Sequence, residues 1–210
     1  MLNSYDISHM QLQNYLQKGI TYNAYLELTE TLVAQNKSSG SEQSDDLATY
    51  TKLNLQRMRR IGKTTTLLPE LLKTLNQIDS PQIWLLLSET WCGDAAQNLH
   101  VINLMAEANP KIQLRILLRD QNLELMDAYL TNGARSIPKL ICFDAVKNIE
   151  LFNWGPRPAG AQTLAIELKH SGADKETKGL ALQKWYAADK GISCQNEINE
   201  ELLKTMEIKT

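Results

Sequence analysis

The segment of this 210-residue chain best placed to do chemistry is Trp91-Cys92-Gly93-Asp94-Ala95. The apolar run Ile83-Trp84-Leu85-Leu86-Leu87 precedes it and reads as a buried strand. Residues 96–108 follow it and read as a helix. A cysteine at such a strand-to-helix turn meets backbone N–H groups and the positive end of a helix dipole, and both favour the thiolate. Sites of this kind draw a thiol pKa from about 8.5 toward roughly 3.5–7.5. The chemistry on offer is nucleophilic: attack on a disulfide, or oxidation to a sulfenic acid. The plainer reading of Cys92 is a small buried hydrophobe, common for free cysteine. Asp94 pulls in two directions. Its carboxylate suits a helix N-terminus, whereas a negative charge beside a thiolate disfavours that thiolate.

Two further segments can border such a site. Arg135-Ser136-Ile137-Pro138 runs into an apolar stretch, Lys139-Leu140-Ile141-Cys142-Phe143. A proline at a strand start is permitted in any case. Trp154-Gly155-Pro156-Arg157-Pro158 has residues for a rigid turn before a helix, and its Trp154 and Arg157 are free to contact a substrate. Neither of the other cysteines is an evident partner for Cys92. Cys142 lies roughly 13 Å along a strand from Pro138, while a disulfide needs Cα atoms within about 7 Å. Cys194 falls in Gly191-Ile192-Ser193-Cys194-Gln195, read as a loop that reaches Cys92 only by folding back over it. His9, His100 and Tyr129 form no constellation. No metal-ligand spacing, phosphate loop or cofactor signature is present.

Three regions must position these residues. The first, 1–64, is helical. Residues 21–35 carry Tyr25, Leu28 and Leu32 on one helical face. Residues 36–43 are a loop by composition. Ser44 reads as an N-cap with Asp45 and Asp46 in the favourable first turn, and that helix is predicted to stop near Gly62. Its apolar stripe, Leu47, Tyr50, Met58 and Ile61, has Asn54 in its middle and Arg57 on its edge. Polar groups on a buried face need partners. They either hold a loop of the neighbouring unit or point at the Cys92 pocket and bind an anionic group. Arg59, Arg60 and Lys63 read as a solvated basic face. The second region, 65–170, runs helix, strand, helix, strand, helix, strand, strand, helix. Its strand-helix-strand start argues for parallel pairing and its short last connection, 145–148, for an antiparallel pair. The third, 171–210, carries a helix over 178–188 and then a polar stretch expected to fray.

Composition narrows the classes. The chain is 43% hydrophobic and 22% charged with a net charge of −2, as an ordinary globular protein is, and nothing marks a nucleic-acid binder. No membrane span and no signal peptide is visible. Three unevenly placed cysteines are too few for a disulfide scaffold and fit a reducing cytoplasm.

Taken together, Cys92, Ile137-Pro138 and Gly155 resemble a thioredoxin, whose motif is Trp-Cys-Gly-Pro-Cys. The resemblance covers about half the chain, 65–170. The Trp-Cys-Gly-Asp-Ala motif and the helical N-terminal region are similar to a bacterial thioredoxin-like subgroup. The resemblance implies an α/β thioredoxin-like fold, a central mixed β-sheet flanked by helices. N- and C-terminal helical extensions, 1–64 and 171–210, lie outside that pattern, and the N-terminal one is expected to pack on the core because its amphipathic stripes need a surface to cover. It also implies a cis peptide bond at Ile137-Pro138 that presents backbone groups to a partner. Trp91, Gly93, Asp94, Ile137, Pro138, Trp154, Gly155 and Arg157 would then surround the nucleophile Cys92. The departures are pointed. Ala95 stands where a second cysteine would resolve a mixed disulfide. Leu86 stands where thioredoxins keep a buried acid. By resemblance to monothiol glutaredoxins, the first expectation is single-cysteine thiol-disulfide exchange with a protein or low-molecular-weight thiol. The second is a redox-inactive peptide- or protein-binding module. A low Cys92 pKa would favour the first and an elevated one the second.

Overall fold

The computed structural model describes residues 8–207. The readings of residues 1–7 as lacking a leader and of the His9 side chain fall outside the described residues.

Among the described residues four helices precede the sheet: α1 (His9–Lys18), α2 (Tyr22–Ala34), α3 (Asp45–Thr64) and α4 (Pro69–Asn76). The strand β1 (Gln82–Ser88) leads into α5 (Gly93–Glu107) and β2 (Ile112–Leu118). A 3-10 turn (Arg119–Gln121) and the short α6 (Leu123–Ala128) connect to β3 (Lys139–Asp144) and β4 (Ile149–Trp154). The helices α7 (Ala159–His170), α8 (Lys175–Asp189) and α9 (Ile192–Glu207) close the described chain.

The sheet order is β2-β1-β3-β4. β1 pairs parallel with β2 and antiparallel with β3, which pairs antiparallel with β4. This is the mixed sheet that the strand-helix-strand start and the short 145–148 connection predict. All seven residues of β1 are buried, so helices cover both of its faces. The helices before β1 join the same core, contributing Leu12, Tyr15, Tyr22, Tyr25 and Met58. Ile20, between α1 and α2, exchanges backbone hydrogen bonds of 2.9 and 2.8 Å with Ile116 of β2. That bridge occupies the outer edge of β2, which would otherwise offer unpaired groups to another chain.

Local chemistry sets the helix ends near the site. The Ser44 hydroxyl accepts from Leu47 N, with Asp45 and Asp46 in the first turn of α3. The helix passes Gly62 and ends at Thr64. Gly62 lies against the His100 ring on α5, where a Cβ would stand 3.5 Å from the imidazole. The glycine is therefore a contact between helices, and tertiary packing overrides its stop signal.

The polar C-terminal stretch does not fray. It forms α9, whose Cys194, Gln195, Ile198, Leu202 and Thr205 are buried. Cys194 is thus a core residue of a helix, not of a loop, and is fully inaccessible. The polar residues of α9 find partners distant in sequence. Gln195 Oε1 accepts from Leu68 N at 2.8 Å and Gln195 Nε2 donates to Thr66 O at 3.2 Å. Glu197 accepts from Trp154 Nε1 and from Ala159 N, both at 2.7 Å. The second bond supplies the side-chain cap that α7 lacks at Pro158. Glu197→Ala is expected to cost about 1–3 kcal/mol, read as a lower urea midpoint. A loss within measurement error would show that α9 is not held through this carboxylate.

Candidate functional site

The turn 89–92 is held from the N-terminal side. Thr90 is its clamp: its N–H donates to Ser39 Oγ at 2.8 Å and its carbonyl accepts from Asn54 Nδ2 at 2.9 Å. Its hydroxyl lies 3.1 Å from that of Thr51. Asn54 is fully buried, and this bond is the partner its place on an apolar stripe demanded. Loop 36–43 and α3 together therefore fix the backbone that presents Cys92.

Cys92 is the N-cap of α5. Its Sγ accepts from Ala95 N at 3.4 Å and its thiol donates to Ile137 O at 3.2 Å. The residue is 7% exposed. Burial pushes its pKa up to about 12; Asp94 pushes the same way, against the smaller pull of the Ala95 and Asp94 backbone N–H groups and Arg157. Desolvation thus outweighs the helix N-terminus here. Asp94 is tied down on both oxygens. Arg157 Nη2 stands 2.5 Å from Oδ2, and the Tyr186 hydroxyl donates to Oδ1 at 2.7 Å. The guanidinium that would steady a thiolate is engaged by the carboxylate beside it.

These groups border a cavity of about 490 Å³, within the usual range for small-molecule sites. Trp91, Cys92, Gly93, Asp94, Ile137 and Arg157 line it, so the structure gathers six of the nine sequence-assigned residues at one place. Arg119 lies 5.0 Å over the Trp91 ring. The other three residues lie elsewhere. The Ile137–Pro138 peptide is cis, and Pro138 is buried behind the cavity wall. Gly155 has φ +115° and backs onto Pro138, whose carbonyl oxygen would be 2.2 Å from a Cβ there. Trp154 is no docking rim. It is buried, with its indole N–H on Glu197, because α9 covers the end of β4.

Gln97, Arg119, Arg135 and Ser136 add to the wall from within 65–170, and two further walls come from outside it. Leu47, Tyr50 and Arg57 of α3 line one side, and Lys175, Gly179, Leu182, Gln183 and Tyr186 of α8 another. Periodicity signals that α8 exists but not which groove it covers. Arg57 does reach the pocket, bonding Asn54 Oδ1 and Gln183 Oε1 at 2.9 Å each. His100 lies against Tyr22 with ring centroids 5.4 Å apart. Cys142 is fully buried in β3 opposite Trp84.

Glu89 is the residue that motif reasoning passes over. It is fully buried three positions before Cys92, accepts from Asp120 N at 2.9 Å, and takes the Ser39 hydroxyl on its other oxygen. Its only sequence signal is an acid directly after a buried strand. Burial raises its pKa, against the two hydrogen bonds. Among the described residues no group of three or more His, Cys, Asp or Glu is placed to hold a metal ion. No described helix is long and apolar enough to cross a membrane.

Residues 40–169 match the family described as thioredoxin. No curated protein is a match. Among solved structures, a protein of unknown function from Pseudomonas aeruginosa is 16% identical, with 100% of both chains covered and a TM-score of 0.59. An HIV epitope-scaffold is also 16% identical, covering 85% of this chain and 97% of its own at a TM-score of 0.53. Both likenesses are of fold.

Two outcomes follow from these charges. Asp94→Asn removes a like charge from the thiolate and frees Arg157, so the Cys92 pKa is expected to fall by about one unit or more. Thiolate ultraviolet absorbance against pH reads this, and an unchanged titration would assign the whole shift to burial. For Glu89 the folded-state pKa lies above its ordinary value of 4.5, so the folded protein holds the proton longer. The stability this adds is complete below that ordinary value and is lost as pH rises through the folded-state pKa. Glu89→Gln is therefore expected to flatten the fall in urea midpoint over that interval. A parallel pH dependence in both proteins would contradict it.

Proposed function

The chain belongs to the thioredoxin family, and on that premise we propose that it is a redox-inactive binding module whose ligand enters the cavity beside Cys92. In this reading residues 65–170 are the thioredoxin-like domain, and 1–64 and 171–210 are extensions that wall its site. The observation that carries it is the state of the cysteine. A buried thiol that donates to Ile137 O, beside the Asp94 carboxylate, stays protonated near neutral pH. Thiol-disulfide exchange needs the thiolate. The position of a second cysteine holds Ala95, itself buried, and Cys142 and Cys194 are fully buried. α3 and α8 narrow the groove to a cavity, which favours an inserted ligand over a peptide strand laid along Pro138. The three free cysteines suit a reducing cytoplasm.

One observation favours single-cysteine exchange instead: Sγ borders the cavity at the N-terminus of α5. There the Cys92 thiolate would displace one thiolate from a disulfide, and an external thiol would release the mixed disulfide. The test is the pH dependence of Cys92 alkylation by iodoacetamide in the Cys142→Ala, Cys194→Ala protein. The binding reading expects a slow rate still climbing at pH values of about 9, above an ordinary thiol pKa. A plateau well below that overturns it and favours exchange with a protein or low-molecular-weight thiol.

A further inference from the structure

Five cationic side chains line the cavity against the single carboxylate of Asp94. Four of them have an acid of their own: Arg119 with Asp120, Arg135 with Asp127, Arg157 with Asp94, and Lys175 with Asp46. Among the described residues Arg57 makes no ion pair. Its two hydrogen bonds go to the neutral amides of Asn54 and Gln183, and its Nε is buried without a partner. A guanidinium has five donors, and leaving a charged donor buried and unmet is costly. Burial, with Arg60 nearby, lowers the Arg57 pKa, against smaller offsets from Tyr50 and from Asp94, whose carboxylate is already bound by Arg157.

The position of the guanidinium sharpens the argument. Arg57 Nη1 lies 3.4 Å from where a side chain on Gly93 would begin. Gly93 is the first residue of α5, so a cation faces the positive end of a helix dipole. Two positive ends meet in a walled pocket, and an anion between them satisfies both. The rest of the wall includes the apolar groups of Trp91, Leu47 and Leu182.

We propose that the cavity binds a small organic anion, its carboxylate or phosphate head between Arg57 and the first turn of α5 and its apolar body against Trp91, Leu47 and Leu182. The inference rests on the reading of the cavity as a ligand site and adds the charge of the ligand. Gln183 of α8 and Asn54 of α3 are positioning residues that aim the guanidinium.

The test uses the full chain and the fluorescent anion anilinonaphthalene sulfonate, with uncharged N-phenylnaphthylamine beside it. The expected result is saturable binding of the anionic dye, displaced by benzoate at concentrations at least about tenfold below those needed for benzyl alcohol. Arg57→Gln is expected to weaken dye binding by about tenfold or more, the usual scale of a lost charged hydrogen bond. Arg59→Gln, at an exposed residue paired with Glu30, is expected to leave it unchanged. If benzyl alcohol competes as well as benzoate, or if folded Arg57→Gln binds as the parent does, the anion inference falls while the cavity reading stands. If neither dye binds, both fall. If Arg57→Gln does not fold, the benzoate and benzyl alcohol comparison on the unaltered protein decides alone.

Discussion

The Asp94 carboxylate, in the first turn of α5, holds Arg157 on one oxygen and the Tyr186 hydroxyl on the other. Much of the site depends on that arrangement. Through Tyr186 it docks α8 over the groove, and through Arg157 it docks the turn after β4. The same charge stands beside Cys92 and opposes its ionisation. A helix N-terminus that would activate a thiol alone here also carries an acid that organises the surrounding chain. The conflict between the two effects of Asp94 is settled by burial. A thiolate at the largely buried Sγ would surrender most of its hydration, and two backbone N–H groups do not replace it.

A second polar centre serves the backbone. Thr90 gathers Ser39, Thr51 and Asn54, and Glu89 beside it gathers Ser39 and the Asp120 amide. These groups are buried, so each bond counts for more than its solvent-exposed equivalent. Within residues 36–43, a loop by composition, Ser38 and Ser39 are nearly inaccessible and form a strut under the turn. The loop and helix that precede the sheet thus set the geometry of its central turn.

Enclosure has chemical consequences. A groove open to solvent would let water screen Arg57 and Arg157. Walled by α3 and α8, the same charges act through a lower dielectric and a ligand meets them with less competition. The cost is access to Sγ. A site shaped this way favours holding a molecule over exchanging electrons with a passing protein.

The sequence by itself determined the local order of the molecule. The apolar run of β1, the N-cap at Ser44, the strand-turn-helix around Cys92 and the parallel and antiparallel pairings were all legible, because period, capping and connection length are short-range properties. It also marked Asn54 and Arg57 as polar residues in need of partners. Tertiary structure decided what those residues became. Trp154 reads as a rim residue until α9 covers it, and Cys194 as a loop residue until α9 forms. Gly62 reads as a stop until α5 lies against it. Glu89 has no motif at all, since its burial comes from a loop some fifty positions earlier. The protonation of Cys92 belongs to the same class. It is set first by desolvation and then by Asp94, with Arg157 of the turn after β4 opposing, and of these only Asp94 lies in the window of sequence around the cysteine.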